Sequence, residues 1–241
     1  MDFTATPRHL AQFFGALTVC LIVAHVVVQA ARFATGNDSL FGLVALFSLG
    51  ADGNLPTFYS SFAILFCAML LTWIGVAGWG DRHIHTAYWL GLAVIFLFLS
   101  ADEMLALHEH LVEPVRSTLH TGGLFYYAWV IPYGAALLIF LAVYFRFLLR
   151  LPVRTAVLFV VAGATYVGGA AGVEMISGWY SEVHGNSNLI YVVLQTIEET
   201  LEMVGIVVFI FALADYIDRR FGVLTVRISS GSGPVGSGLE Q

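Results

Sequence analysis

The stretch Gln195-Thr196-Ile197-Glu198-Glu199-Thr200-Leu201-Glu202-Met203 places three carboxylates inside a run, Asn188 to about Ile217, that otherwise reads as a membrane-spanning helix. At α-helical spacing Gln195, Glu198, Glu199 and Glu202 stand at i, i+3, i+4 and i+7, so all four share one face. Each ionised side chain at the middle of a spanning helix costs about 2.5–3.5 kcal/mol on insertion scales. A face carrying three must look into a bundle, at a cation, a proton pathway or a hydrogen-bonded partner.

A second group lies at Asp102-Glu103 and His108-Glu109-His110, with Glu113 beyond; Glu174 and His25 stand alone in two further apolar runs. If one helix runs through this segment, Glu103 and His110 fall on one stripe, two turns apart, and Asp102 and Glu109 on another. Glutamates and histidines projecting from several helices into a core build the di-iron and di-manganese carboxylate sites, which use two Glu-x-x-His pairs. Here Glu199-x-x-Glu202 and the Glu103/His110 pair stand in their place, so a carboxylate-rich metal site is the expectation rather than that specific centre. Oxygen ligands with one or two imidazoles suit Fe, Mn or Zn, with one or two ions; carboxylates alone would admit Ca or Mg. The expected ligands are Glu103, His110, Glu174, Glu199 and Glu202, with His108 and His25 as further candidates, and Glu198 or Asp102 as base. Blander readings stand beside these. His108, Glu109, His110 and Glu113 could be a solvated helix end, Asp102 and Glu103 a proton-shared pair, Glu174 a neutral hydrogen-bonded acid, and His25 a satisfied buried histidine.

The elements that must position these residues follow from hydropathy. The chain is 59% hydrophobic and only 11% charged over 241 residues, where a soluble domain would carry about 25% charged residues. The expectation is an all-α polytopic membrane protein, a bundle of six transmembrane helices with an interfacial segment between helices one and two. It forms a single domain over 1–228, with spans at about 10–33, 57–79, 86–106 (with an extension to 118), 123–149, 154–179 and 188–217. Asn54-Leu55-Pro56-Thr57 reads as a helix start, Pro132 as a kink in span four, and Ala164, Gly168 and Gly172 as a small-residue face for close helix approach. Ser229–Gln241 is Gly/Ser-rich and reads as a flexible tail left by expression. Cys20 and Cys67 read as small buried side chains, and no cleavable signal peptide is evident. The absence of lysine excludes a retinal Schiff base, and the scattered arginines give no nucleic-acid surface.

Arg8, Arg82, Arg146, Arg150, Arg154, Arg219, Arg220 and Arg227 fall on one side of six spans, and Arg32 and Arg116 on the other. That asymmetry predicts a cytoplasmic (inner) membrane protein with both termini in the cytoplasm. Glu198 then lies ~15 Å and Glu202 ~21 Å in from the outer end of their helix, and Asp102, Glu103 and Glu174 reach the same outer half.

The stretches Asn54–Ser61, Phe98–Glu103 with His108-Glu109, Tyr127–Pro132 and Ile197–Met203 resemble a family of bacterial multi-pass membrane proteins that is uncharacterised, so no activity carries over. The chain is also similar in part to alkaline-ceramidase-like membrane hydrolases, through Ser100, Asp102 and His108. The late His-x-x-x-His pair expected of those enzymes is absent, and glutamates stand there instead.

Three functions follow as expectations. The first is a metal-dependent enzyme acting on a lipid or small apolar substrate, by hydrolysis or oxidation, from a site in the outer half of the bilayer. The alternative is a proton- or cation-coupled transporter or channel using the same carboxylates. A sensory or structural protein with protonated glutamates is a third. The expected partners are membrane lipid and substrate, with room for a homo-oligomer.

Overall fold

The computed structural model of the chain describes residues 2–4, 6–79, 85–222 and 225–227. The turn around Arg82 and His83 and the Gly/Ser-rich tail from Ser229 lie outside them. The architecture is an all-α membrane bundle in which six helical segments are long and apolar enough to span a bilayer. In chain order they are α1 (Pro7–Thr35), α3 (Leu55–Ala77), α4 (Thr86–Leu105), α6 (Val130–Leu148), a composite of α7 (Val153–Val167) and α8 (Glu174–His184), and α9 (Leu189–Phe221). Between α1 and α3 lies the short α2 (Leu43–Phe47), and α5 (Glu109–Leu119) follows α4. Strands β1 (Asp2–Thr4) and β2 (Thr225–Arg227) pair antiparallel, joining the two ends of the described chain.

Helix starts obey local chemistry. The Thr6 hydroxyl accepts from His9 N at 3.2 Å ahead of Pro7, Asn54 Oδ1 accepts from Thr57 N at 3.2 Å, and Asn188 Oδ1 accepts from Tyr191 N at 3.1 Å. Each satisfies an N–H that has no partner within its helix. The longest helix, α9, is central. It packs against α1, α3, α7 and α8, and from Met203 to Ile217 it is mostly buried apolar surface. Trp89, Phe147, Phe159, Phe209 and Tyr216 close an aromatic core around that half.

Four expectations need correction. The third span does not extend unbroken to residue 118: it stops at Leu105, and Ala106 adopts the left-handed conformation (φ 49°) before α5 begins. The reason is Asp102, whose carboxylate takes the N–H of His108 at 2.8 Å and so competes with helix continuation. Secondly, Pro132 does not kink a span. It sits in the first turn of α6, where its missing N–H breaks no helical hydrogen bond. Thirdly, the fourth span starts at Val130 rather than 123, after a separate turn at Gly123–Phe125.

Fourthly, the close approach of the fifth span does not use Gly168 and Gly172, which face open space. It uses Gly169, where an added Cβ would stand 2.6 Å from the carbonyl oxygen of Glu198. Gly169 belongs to a π-helical segment, Gly168–Val173, whose wider turn rotates the glycines off the expected stripe. The segment thereby lies directly against the glutamates of α9.

Candidate functional site

Around the end of the bundle that carries α2 and the start of α9, polar side chains come from α4, the α4–α5 junction, α6, α8 and α9. The junction is organised by Asp102, which is buried. Its Oδ1 accepts from His108 N at 2.8 Å and from the Tyr133 hydroxyl at 3.0 Å, while Oδ2 lies 3.3 Å from His108 Nδ1. Burial disfavours the charged imidazole of His108, but the hydrogen bond and charge of Asp102 outweigh it, and the value is raised above that of an ordinary histidine. The ring packs against Trp129, with centroids 4.8 Å apart.

Trp129 leads on to the next carboxylate: its indole N–H donates to Glu174 Oε1 at 3.0 Å. One turn along α8, the Ser177 hydroxyl bridges the Glu174 carbonyl (3.0 Å) and Glu198 Oε2 (3.2 Å). The remaining glutamates interact through space. Glu199 lies within electrostatic reach of Glu103, Glu198, Asp52 and Glu174, and Glu202 within reach of Glu199, Glu103, Glu198 and Glu174. Glu103 interacts with His108, Asp52 and Asp102. All five glutamates are partly rather than fully buried.

No arginine answers them among the described residues. Arg32 pairs with Asp38, Arg116 with Glu113, and Arg154 and Arg219 with Asp215. Below Glu202, the buried face of α9 is Met203, Ile206, Phe209, Ile210 and Leu213, with no polar group until Asp215.

Two of the expected ligands are held elsewhere. His25 is buried with both ring nitrogens engaged: Leu49 N donates to Nδ1 at 3.1 Å, so the Nε2–H donates to Thr196 Oγ1 at 3.0 Å. That tautomer leaves no lone pair for an ion; the imidazole ties α1, the loop after α2 and α9 together. His110 is exposed, and its Nδ1–H donates to the Ala106 carbonyl at 2.9 Å. The break at Ala106 turns the chain, so Glu103 and His110 share no stripe, and His108 is the imidazole brought to the acids. Ser100 exchanges hydroxyl–carbonyl hydrogen bonds with Ser61 (2.7 and 2.9 Å), a clasp between α3 and α4 rather than part of a site with Asp102.

Four participants went unrecognised in the sequence. Asp52 comes from the glycine-flanked loop before α3 and hydrogen-bonds Glu109; burial, then the charge of Asp52, raises Glu109 above an ordinary carboxyl. Tyr133 and Ser177 carried no signal beyond their type, and Trp129 stood only within the Tyr127–Pro132 stretch. Among the described residues no three His, Cys, Asp or Glu side chains are grouped so as to hold a metal ion.

One family model, Domain of unknown function (DUF8692), matches residues 14–217. No curated protein and no solved structure matches the chain.

Proposed function

The chain belongs to that family, and we propose that it is a membrane-embedded, metal-dependent enzyme acting on a lipid or small apolar substrate. The observation that carries this reading is a charge imbalance. Five glutamates from α4, α8 and α9 interact with one another, and no arginine ion pair reaches them among the described residues. In a low-dielectric setting such a group must take up protons or a cation.

The donor chemistry suits Fe, Mn or Zn, as one ion or two: carboxylate oxygens with one imidazole. Glu103, Glu174, Glu199, Glu202 and His108 would hold the ion. His25 and His110 drop out of the set. When bound, the ion supplies Lewis acidity, an activated water or a redox centre. The chain's own residues supply the rest. Asp102 orients His108 through Nδ1 and leaves Nε2 as its outward nitrogen; Trp129 fixes Glu174; Ser177 holds Glu198 beside the acids as a proton acceptor. The apolar face below Glu202 favours a blind site over a path across the membrane. The arginine distribution favours cytoplasmic termini at an inner membrane and a site in the outer half of the bilayer.

Elemental analysis of natively purified protein tests the proposal. Stoichiometric Fe, Mn or Zn is expected, falling in Glu199→Gln and Glu202→Gln. Metal-free protein that turns over lipid unaffected by chelator would end it. A second reading, a proton- or cation-coupled transporter, draws support from the π-helical segment beside Glu174, a place where a helix can shift. Ion flux in proteoliposomes, abolished by Glu202→Gln, would favour it.

A further inference from the structure

The connection between α4 and α6 carries a helix that is not itself a span. In α5 (Glu109–Leu119), Leu111, Val112, Val115 and Leu119 stand at i, i+1, i+4 and i+8 and fall within an arc of about 100°. Glu109, His110, Glu113 and Ser117 take the opposite side, and Arg116 stands at the border. No residue of α5 is buried: Leu111 is 36% and Leu119 54% exposed, and the two valines are half-covered. Apolar surface left in water forfeits about 25 cal/mol per Å², so a cover for this face is favoured.

The chain holds α5 at the bilayer boundary. The span α4 runs to Leu105, and the turn to Glu109 is compact: Leu107 N donates to the Asp102 carbonyl and Glu109 N to the Ala106 carbonyl, both at 3.2 Å. Even fully extended, four residues reach no more than about 14 Å. The next span, α6, begins at Val130. Exposed apolar side chains continue along the whole connection, from Leu105 and Leu107 through Leu111 and Leu119 to Leu124 and Phe125. The face of α5 is thus one stretch of the lipid-facing surface of the two spans that flank it.

Two further observations orient the helix. Arg116 pairs with Glu113 and lies 4.7 Å from the centroid of the Tyr126 ring, a long basic side chain beside an aromatic, as found at headgroup level. Pro114 has no N–H for the His110 carbonyl four residues back, and both residues lie on the polar side. A carbonyl freed in this way is tolerated where water or another donor reaches it, not in hydrocarbon.

A plainer account folds the leucine face onto the bundle, which would bury Leu111 and Leu119; both are exposed. A second copy of the chain is the other candidate cover. An 11-residue helix is about 16 Å long, and its four aliphatic side chains fall well short of the ~800 Å² per partner of a stable interface.

We infer that α5 lies in the plane of the membrane, with Leu111, Val112, Val115 and Leu119 seated among the acyl chains of the leaflet beside the acid site and Glu113 and Ser117 turned to the headgroup water. Amphipathic helices of this kind sink about 5–10 Å into the headgroup boundary. His108 immediately precedes α5, so the helix is the rim between that leaflet and the acids. This seat does not rest on the enzyme reading.

Full-length protein in phosphatidylcholine nanodiscs tests it. The exposed Cys20 is replaced by serine, and a spin label is attached singly through Leu111→Cys, Glu113→Cys, Ser117→Cys or Leu119→Cys, all at exposed positions where folding is safe. Power saturation reads collisions with oxygen, which concentrates in lipid, and with a nickel chelate, which stays in water. Oxygen is expected to dominate at Leu111 and Leu119 and the chelate at Glu113 and Ser117, so that the preference follows the helical repeat. Dominance of the chelate at all four positions puts α5 in water and overturns the inference. Shielding of Leu111 and Leu119 from both reagents overturns it as well, because protein then covers the face; mutual broadening of the labels would identify that protein as a second copy.

Discussion

Asp102 and His108 meet twice: Oδ1 accepts the backbone N–H of His108 at 2.8 Å, and Oδ2 lies 3.3 Å from its ring Nδ1. One carboxylate thus ends the α4 helix and aims an imidazole whose charged neighbours include Glu103 of α4 and Glu174 of α8. Local backbone chemistry and site geometry are the same interaction here. Asp102→Ala leaves the His108 N–H and the Tyr133 hydroxyl without their acceptor in a buried setting, at about 1–3 kcal/mol for each donor. We expect a melting temperature lower by roughly 5 °C or more in detergent, with Asp102→Asn intermediate because Oδ1 can still accept. An unchanged melt for Asp102→Ala would mean the junction is held by other contacts.

The pH response of this junction has a defined sign. His108 is raised above an ordinary histidine and Glu109 above an ordinary carboxyl. A group that binds its proton more tightly when folded stabilises fully below its unfolded value, and that contribution is lost as pH climbs through the folded one. For His108 the loss starts from about pH 6.5 upwards, for Glu109 from about pH 4.3 upwards. Chelator-treated protein should therefore melt at progressively lower temperature from pH 5 to pH 8. Asp52→Asn, which removes the neighbouring charge from Glu109, should flatten the acidic part of that profile.

Gly169 and its neighbours offer a steric test. A methyl group on Gly169 would press on the Glu198 carbonyl at 2.6 Å, a backbone atom that cannot rotate away. Gly169→Ala should destabilise by about 1–3 kcal/mol, the range for overpacking. Gly168→Ala and Gly172→Ala, with nothing in reach, should be neutral or slightly stabilising. Equal effects at all three positions would refute the placement of the π-helical segment against α9.

The histidines separate by role. His108→Ala is expected to lower metal content, whereas His110→Ala, exposed and hydrogen-bonded to the Ala106 carbonyl, should leave it unchanged. His25→Ala should weaken folding instead, by removing the link from Leu49 to Thr196. Metal analysis and thermal melts on the three variants would show whether the assignments hold.

Much of this was written in the order of residues. A six-span bundle follows from runs of apolar residues, because hydrocarbon tolerates only segments that satisfy their own backbone hydrogen bonds. The caps at Asn54 and Asn188 follow from side chains that reach their own N3 amides. The shared inward face of Glu198, Glu199 and Glu202 follows from the pitch of a helix. What periodicity could not supply is every departure from regular pitch. Asp102 breaks α4 only because Tyr133 and His108 are there to be bonded, and that exchange moves His108 in and His110 out. The π-helical turn that brings Gly169 to α9 depends on the neighbouring helix, not on the composition of Gly168–Val173. The Asp52 loop meets the acids of α4, α8 and α9 from far away in the sequence. Such contacts depend on distances between segments, and a linear pattern carries no information about those until the helices have packed.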